Sequence, residues 1–392
     1  MEFIYLDHNA TTPLSPEVET TLKADLSLFG NPSSIHWAGR KSKNKIREAR
    51  ASIASLLNCS PLEIIFTSGA SESSNTLIKT TFQHSPKKHF ITSEVEHPSV
   101  LKTMQYIESL GARVDYVPVN RDGFIDMEFY KRALTPETAL VSIMYVNNET
   151  GNIFPIKEMA DLAHQAGALF HTDAVQALGK IPLDLQALGV DYASFSGHKF
   201  YALKGSGLLY AKKGAPQISF IHGGAQERSR RGGTENVLGI VSLGVMASQK
   251  NRIAEESQRL EKLRDEMQTR ILNEIEDVTV TAGLAPRVTN TLSLVLKGVD
   301  GETLLMNLDI KGYAVSTGAA CSSGNPEPSP VLLAMGLTRA EAQNSLRVSM
   351  GWGTTESQVN KFIEDLKLSV KRLRDIEKAE SLLKESDDVG NT

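Results

Sequence analysis

Cysteine is almost missing from this 392-residue chain: Cys59 and Cys321 are its two thiols, and no C-x-x-C pair occurs. That scarcity argues against a disulfide framework and against a zinc cluster, so no metal site is expected. It fits a reducing compartment and leaves room for one reactive thiol. An excess of one charge is lacking as well. Lys and Arg total 42 against 46 Asp and Glu, a formal net charge of −4, which provides no broad basic field for direct binding of nucleic acid. No apolar run approaches the ~20 residues that a bilayer crossing needs; the longest, 237–247, is interrupted by Gly and Ser. The N-terminus has an acid at position two and no basic start before a long apolar stretch. A signal peptide is therefore not expected, the mature chain is expected to begin here, and a cytoplasmic protein without a membrane partner is the expectation. Neither an internal repeat nor a low-complexity tract is present.

Hydrophobic residues make up 41% and charged residues 22% of the chain, ordinary globular usage that can bury a real core. At roughly 150 residues per domain the length implies two or three domains. From about 60 to 211, short β-type runs alternate with helical periodicity, the signature of an α/β fold with a mostly parallel sheet. Strands are predicted at 63–66, 89–92, 114–117, 139–144, 169–171, 192–195 and 207–210. Helices are predicted at 71–82, 99–110, 127–134 and 156–166, the last opened by Pro155. A basic amphipathic helix is predicted upstream at 35–57, and one long helix or two joined ones at 235–276. A smaller α+β part follows, with strands at 289–296 and 345–350, helices at 301–308 and about 356–384, and a frayed end.

Three strings could carry chemistry. In Ser194-Phe-Ser196-Gly-His198-Lys199 a lysine follows a predicted strand, where parallel sheets build their sites. Such an amine can condense with an aldehyde, while Ser196 and His198 could hold a phosphate; a plain surface lysine would look the same. In His171-Thr-Asp173-Ala-Val-Gln176 an acid just past another strand could sit opposite a pyridine nitrogen and keep it protonated, with Gln176 donating to a ring hydroxyl oxygen. Asp173 could equally be a helix cap. Phe66-Thr-Ser-Gly69-Ala70-Ser71 runs from strand to helix as an anion-binding turn, or as an ordinary turn capped by Ser71.

In this company the chain resembles the class V aminotransferase group of fold-type I pyridoxal-phosphate enzymes, most closely the NifS/IscS-like cysteine desulfurases. The strings 5–13, Gly30-Asn-Pro-Ser-Ser34-Ile-His36, Ser68-Gly-Ala-Ser-Glu72, Glu96-His97-Pro, Asn147-Asn148-Glu-Thr-Gly151, His171 to Gln176, Ser196 to Lys199 and Arg231-Gly-Gly-Thr234-Glu-Asn236 follow the family's order over nearly the whole chain. The resemblance implies a large seven-stranded, mostly parallel sheet domain at 15–256 that binds pyridoxal 5′-phosphate. It implies a small α+β domain from 1–14 and 257–392, with a mobile cysteine loop at about 321–330. It further implies that Lys199 holds the cofactor, that His97 stacks on its ring, and that Asp173 and Gln176 serve the ring nitrogen and hydroxyl. Ala70, Ser71, Ser196 and His198 match positions around the phosphate, and Thr234 one that reaches it from the neighbouring subunit of a homodimer. Asn148 and Arg347 match positions at the cofactor and the substrate's α-carboxylate, to which a guanidinium fork is suited.

Cys321 lies in Ala-Ala-Cys321-Ser-Ser-Gly-Asn-Pro, a stretch poor in apolar residues and so expected to be exposed and mobile. The resemblance is to the IscS/NifS type with its long cysteine loop, and it implies conversion of L-cysteine to alanine with sulfur carried on Cys321 to an acceptor protein, as in iron–sulfur cluster assembly or thiolation. Cys59, at a helix end without a motif, reads as a small buried hydrophobe. Ser71 stands where the family often has Thr, and Trp352 where Arg is common. A selenocysteine lyase, another β-lyase or aminotransferase of this fold, and an inactive scaffold are the alternatives.

Overall fold

The structure, a computed structural model, describes residues 2–318 and 327–389; Cys321 therefore lies outside the described residues. A short strand β1 (Ile4–Tyr5) precedes the seven strands of the central sheet, β2 (Ile64–Thr67), β3 (His89–Ser93), β4 (Arg113–Val117), β5 (Thr138–Ser142), β6 (Leu169–Asp173), β7 (Tyr192–Ser196) and β8 (Gly207–Ala211). Their spatial order is β2-β8-β7-β6-β5-β3-β4. Strand β8 runs antiparallel to both neighbours and every other pairing is parallel. Helices cover both faces, so these strands read as nearly continuous apolar or small-residue runs rather than alternating ones. Strands β3, β5, β7 and β8 are buried at every position.

The rest of the chain forms a three-stranded antiparallel sheet from β9 (Val278–Val280), β10 (Thr291–Leu296) and β12 (Ser345–Ser349), while β11 (Tyr313–Ala314) pairs with β1. Ile4, Leu6, Leu263, Met267, Leu294, Leu346 and Phe362 pack there in a core of their own. Phe66, Ile91, Val141, Phe170, Phe195 and Leu208 belong to the core beside the large sheet, which also takes in Val18, Ile253, Val288 and Leu332. Between the two runs the stretch predicted as one helix or a pair; it is a pair, Val237–Ala247 and Lys250–Glu274. The first is apolar all round because it is buried against helix Trp37–Leu56 and the sheet. Among the described residues no helix is long and apolar enough to cross a membrane.

The N-terminal segment decides where the site forms. Ser349 donates its N–H to the Leu6 carbonyl at 2.7 Å, and His8 donates to the Ser349 carbonyl at 3.0 Å, so residues 6–8 lie along β12. The approach requires glycine at 351, where a β-carbon would lie 2.0 Å from the His8 ring. Burial there pushes the His8 imidazole down to about 4, so the ring is neutral at physiological pH. Gly351→Ala is expected to displace this ring at an overpacking cost of about 1–3 kcal/mol. Thermal unfolding should show a lowered midpoint; an unchanged one would contradict the packing described.

Candidate active site

Strands β2, β6 and β7 share a direction, and the loops after their C-terminal ends, with those after β3 and β5, converge on one edge of the sheet. A cavity of about 650 Å³ opens there, lined by Ala70, Ser71, His97, Asn148, Asp173, Gln176, Ser196, His198, Lys199 and Arg347 together with Asn9 and Ala10. Ten of the residues singled out from the sequence thus meet in one place. Thr234 is exposed and lines a separate hollow beside Arg231 and Glu235. Cys321 is outside the described residues.

Lys199 follows β7 in a single 3-10 turn, Gly197–Lys199. Its Nζ donates to the Ala10 carbonyl at 2.6 Å and to that of Asn9. Burial and, next, the Arg347 guanidinium lower the amine to about 8 against the opposing pull of Asp7 and Asp173, so a useful fraction is a free nucleophile near neutral pH. Asp173 is the last residue of β6, 5% exposed, and accepts from the Val175 N–H at 3.0 Å. No helix starts at Asp173, so the capping alternative is set aside. Burial raises its pKa, with His97 and Lys199 pulling the other way.

His97 is the N-cap of helix Pro98–Ser109, and its Nδ1 accepts from the Ser99 N–H at 3.1 Å. That fixes which ring nitrogen stays free towards the cavity, and burial, with the Lys199 cation, lowers the imidazole's pKa despite the counter-pull of Asp173. Helix Ala70–His84 starts from Gly69, not from a Ser71 cap, and no side chain caps its first turn. Its N–H groups are therefore free to meet an anion. Ser68 and Ser71 flank this turn, and a β-carbon on Gly69 would sit 3.6 Å from Ser196 Oγ. Glu72, the acid that would weaken anion binding there, is neutralised by Arg231 through bonds of 2.9 and 3.1 Å. Burial pushes His198 down to about 4, so its ring is uncharged; its Nδ1 lies 3.2 Å from Thr11 Oγ1.

Arg347 crosses from β12 to the cavity. One terminal nitrogen bonds Asp7 at 2.7 Å and the other the Asn148 carbonyl at 3.1 Å, while the buried Nε has no partner among the described residues. An orphaned buried guanidinium N–H in a cavity wall is the kind of vacancy a ligand fills.

Several residues around the cavity or packed behind it carry no functional signal in the sequence. Asn9 joins Lys199, Gln176, Lys180, Asn290 and Thr291 in one buried network. Glu96, 2% exposed, accepts from Met144 N–H at 2.8 Å and Ser93 Oγ at 2.7 Å, and burial pushes it up to about 8. Glu149, raised by burial to about 7, accepts from Ser329 Oγ, and Gly318 lies so close that a β-carbon would be 2.7 Å from Glu149 Oε2. Ser329 caps helix Pro330–Ala334, so the stretch expected to be a loop to about 330 ends in a capped turn. Trp352 stacks on Tyr201 with ring centres 4.6 Å apart, under the Arg252 guanidinium. Cys59 is half-buried in the first core, and burial pushes its thiol up to about 12, an inert value.

Borohydride trapping of an aldehyde on the apoprotein is expected to label Lys199 with a rate that climbs through pH about 8, where the free amine appears. A midpoint near the ordinary lysine value would contradict the burial argument, and Lys199→Arg should abolish the label.

The sequence pattern described as aminotransferase class-V matches residues 4–362. The chain is 44% identical to "Cysteine desulfurase IscS" of Dictyoglomus turgidum over 377 residues, 95% of this chain and 96% of that one. It is 43% identical to "Cysteine desulfurase" of Trichormus azollae over 95% of this chain and 94% of the relative. Among solved structures, a "NifS-like protein" superposes with a TM-score of 0.88 at 36% identity, over 94% of this chain and 100% of the other. A "NifS-like protein" from Rickettsia africae gives 0.86 at 32%, over 94% and 100%. "SspA in complex with cysteine" gives 0.78 at 34%, over 88% and 98%. The chain belongs to the class-V aminotransferases, and within them to the cysteine desulfurases, a family of enzymes that depend on pyridoxal 5′-phosphate.

Proposed function

We propose that this enzyme converts L-cysteine to L-alanine and passes the sulfur through Cys321 to an acceptor protein. The observation that carries the reading is one cavity that holds a depressed lysine amine, a buried carboxylate, an uncapped helix N-terminus and an arginine with an unfilled N–H. The residues present fit pyridoxal phosphate: Lys199 for the aldehyde, Asp173 for the ring nitrogen, Gln176 for the ring hydroxyl and His97 for the ring face. Ala70, Ser71, Ser196 and His198 would hold the phosphate. When bound, the cofactor supplies an electron sink for charge left at a substrate's α-carbon.

The chain's own groups do the rest. Asn148 and Arg347 bind the substrate carboxylate, the Arg347 fork orienting the α-carbon towards Lys199. Lys199, able to exist as a free amine, accepts the α-proton and returns it. The Cys321 thiolate attacks the substrate sulfur; its S–S bond forms as the substrate's C–S bond breaks, and protonation of the remaining carbon skeleton gives alanine. His97 Nε2, or the substrate sulfur itself, takes the thiol proton. Gly318, three residues ahead of Cys321, rests against Glu149, the chain neighbour of the cavity-lining Asn148, which supports a thiol within reach.

A homodimer completes the reading. Thr234 lies outside its own chain's cavity, as a residue serving the neighbouring subunit's phosphate would. Phe29, Ile35 and Trp37 are 79%, 90% and 59% exposed, an apolar surface that a second copy would cover. The acceptor is an iron–sulfur scaffold or a thiolation enzyme, and the enzyme acts in the cytoplasm.

Cys321→Ala is expected to retain the cofactor and to cut alanine release from L-cysteine by about 100-fold or more, read by amino-acid analysis in the presence of a reductant. Undiminished release would replace this reading with that of a lyase needing no enzyme thiol. Arg347→Ala should raise KM for L-cysteine about tenfold or more with a smaller change in kcat; equal loss in kcat with KM unmoved would contradict carboxylate binding.

A further inference from the structure

Lys180 is a buried amine in the wall behind the cavity for which the reaction above has no use. It is 8% exposed, and among the described residues it forms no ion pair. Its Nζ reaches two amide oxygens, Asn9 Oδ1 at 2.9 Å and Gln176 Oε1. Burial pushes its pKa well down, the Lys199 and Arg347 cations push the same way, and the neutral His8 ring also feels its charge. Charged or neutral, a lysine amine keeps at least two N–H donors. The two oxygens are therefore held towards it in either state.

We propose that Lys180 is a positioning residue for this reaction, locking the side-chain amide of Gln176 so that its N–H end, not its oxygen, faces the cofactor's ring oxygen. The geometry leaves the amide one orientation. With Oε1 taken by Lys180, Nε2 donates one hydrogen to the Asn9 carbonyl at 3.0 Å and turns the other towards the cavity that Gln176 lines. The same amine fixes Asn9: with Oδ1 shared by Lys180 and Asn290, its Nδ2 donates to Thr291 Oγ1 at 2.8 Å and the Asn148 carbonyl at 3.1 Å. Without Lys180 a flipped Gln176 would present an acceptor to an oxygen that carries negative charge. An amide that can rotate is a poor donor; one tied at its oxygen is preorganised. The inference rests on the reading that Gln176 serves the ring hydroxyl.

The backbone at Lys180 is anchored independently of the side chain, its carbonyl accepting from Ser257 Oγ at 2.6 Å and Thr289 Oγ1 at 3.1 Å. Replacement of the side chain is thus expected to leave the chain path intact. The test titrates the absorbance of the bound cofactor against pH in wild type, Lys180→Met, Gln176→Ala and the double variant. A hydrogen bond to the charged form lowers a pKa, so its loss raises the midpoint, here by about one pH unit. The expected result is an upward shift in both single variants and no further shift in the double variant, since the lysine acts through the glutamine. A wild-type midpoint in Lys180→Met, or shifts that add in the double variant, would overturn the orienting role while leaving Gln176 in place. An unmoved midpoint in Gln176→Ala would instead remove the role given to Gln176, and this inference with it. If Lys180→Met takes up no cofactor, Lys180→Leu is read by the same criteria; a folded protein that binds none in either variant contradicts a purely orienting part.

Discussion

Asn9 is the joint on which this architecture turns. Its main chain bonds Ser349 Oγ, Gln176 and Lys199, and its side chain bonds Asn148, Thr291, Lys180 and Asn290. Gln176 and Lys199 follow β6 and β7 of the large sheet while Thr291 and Ser349 belong to β10 and β12 of the small one, so a buried amide spends its whole hydrogen-bonding capacity in fastening the small antiparallel sheet to the rim of the large parallel one. The constraint is strict, because a buried polar group left unpaired costs about 1–3 kcal/mol. Asp7, Asn9 and the Lys199 amine arrive at the cavity together for that reason.

The result is a pocket whose charged groups are largely buried and whose binding groups are left partly unfilled. Lys199 and Arg347 line it, with Lys180 behind, against the carboxylates of Asp7 and Asp173. Arg347 keeps an unpartnered N–H, and the helix at Ala70 presents an uncapped first turn. A protein selected for stability alone would fill such vacancies; they persist where a ligand with phosphate and carboxylate groups fills them instead. Glu96 and Glu149, both raised by burial, show the same surroundings acting on acids.

The sequence made the large sheet legible because strands buried on both faces leave apolar runs between turn residues. All seven predicted strands lie within two residues of those observed at each end. Lys199, Asp173 and His97 were legible from strand-end placement combined with the family's motif order. The two-residue strand Ile4–Tyr5 and helix Pro16–Asp25 escaped notice, the first too short for any periodicity and the second weakly amphipathic. Lys180 is not legible because nothing in its neighbours distinguishes a buried amine from a surface one; Gln176 lies four residues before it, but only the fold brings Asn9 to the same point. Trp352, which the resemblance marks as a departure from the family, stacks on Tyr201 under Arg252.

Every chemical claim converges on sulfur resting on one thiol of the two. Mass spectrometry of peptides from the holoenzyme, quenched by alkylation after a brief exposure to L-cysteine without reductant, measures this directly. The account requires one additional sulfur atom on the peptide that carries Cys321 and none on the peptide that carries Cys59. Alanine produced in step with free sulfide, with Cys321 bearing no extra sulfur at any quench time, would contradict it.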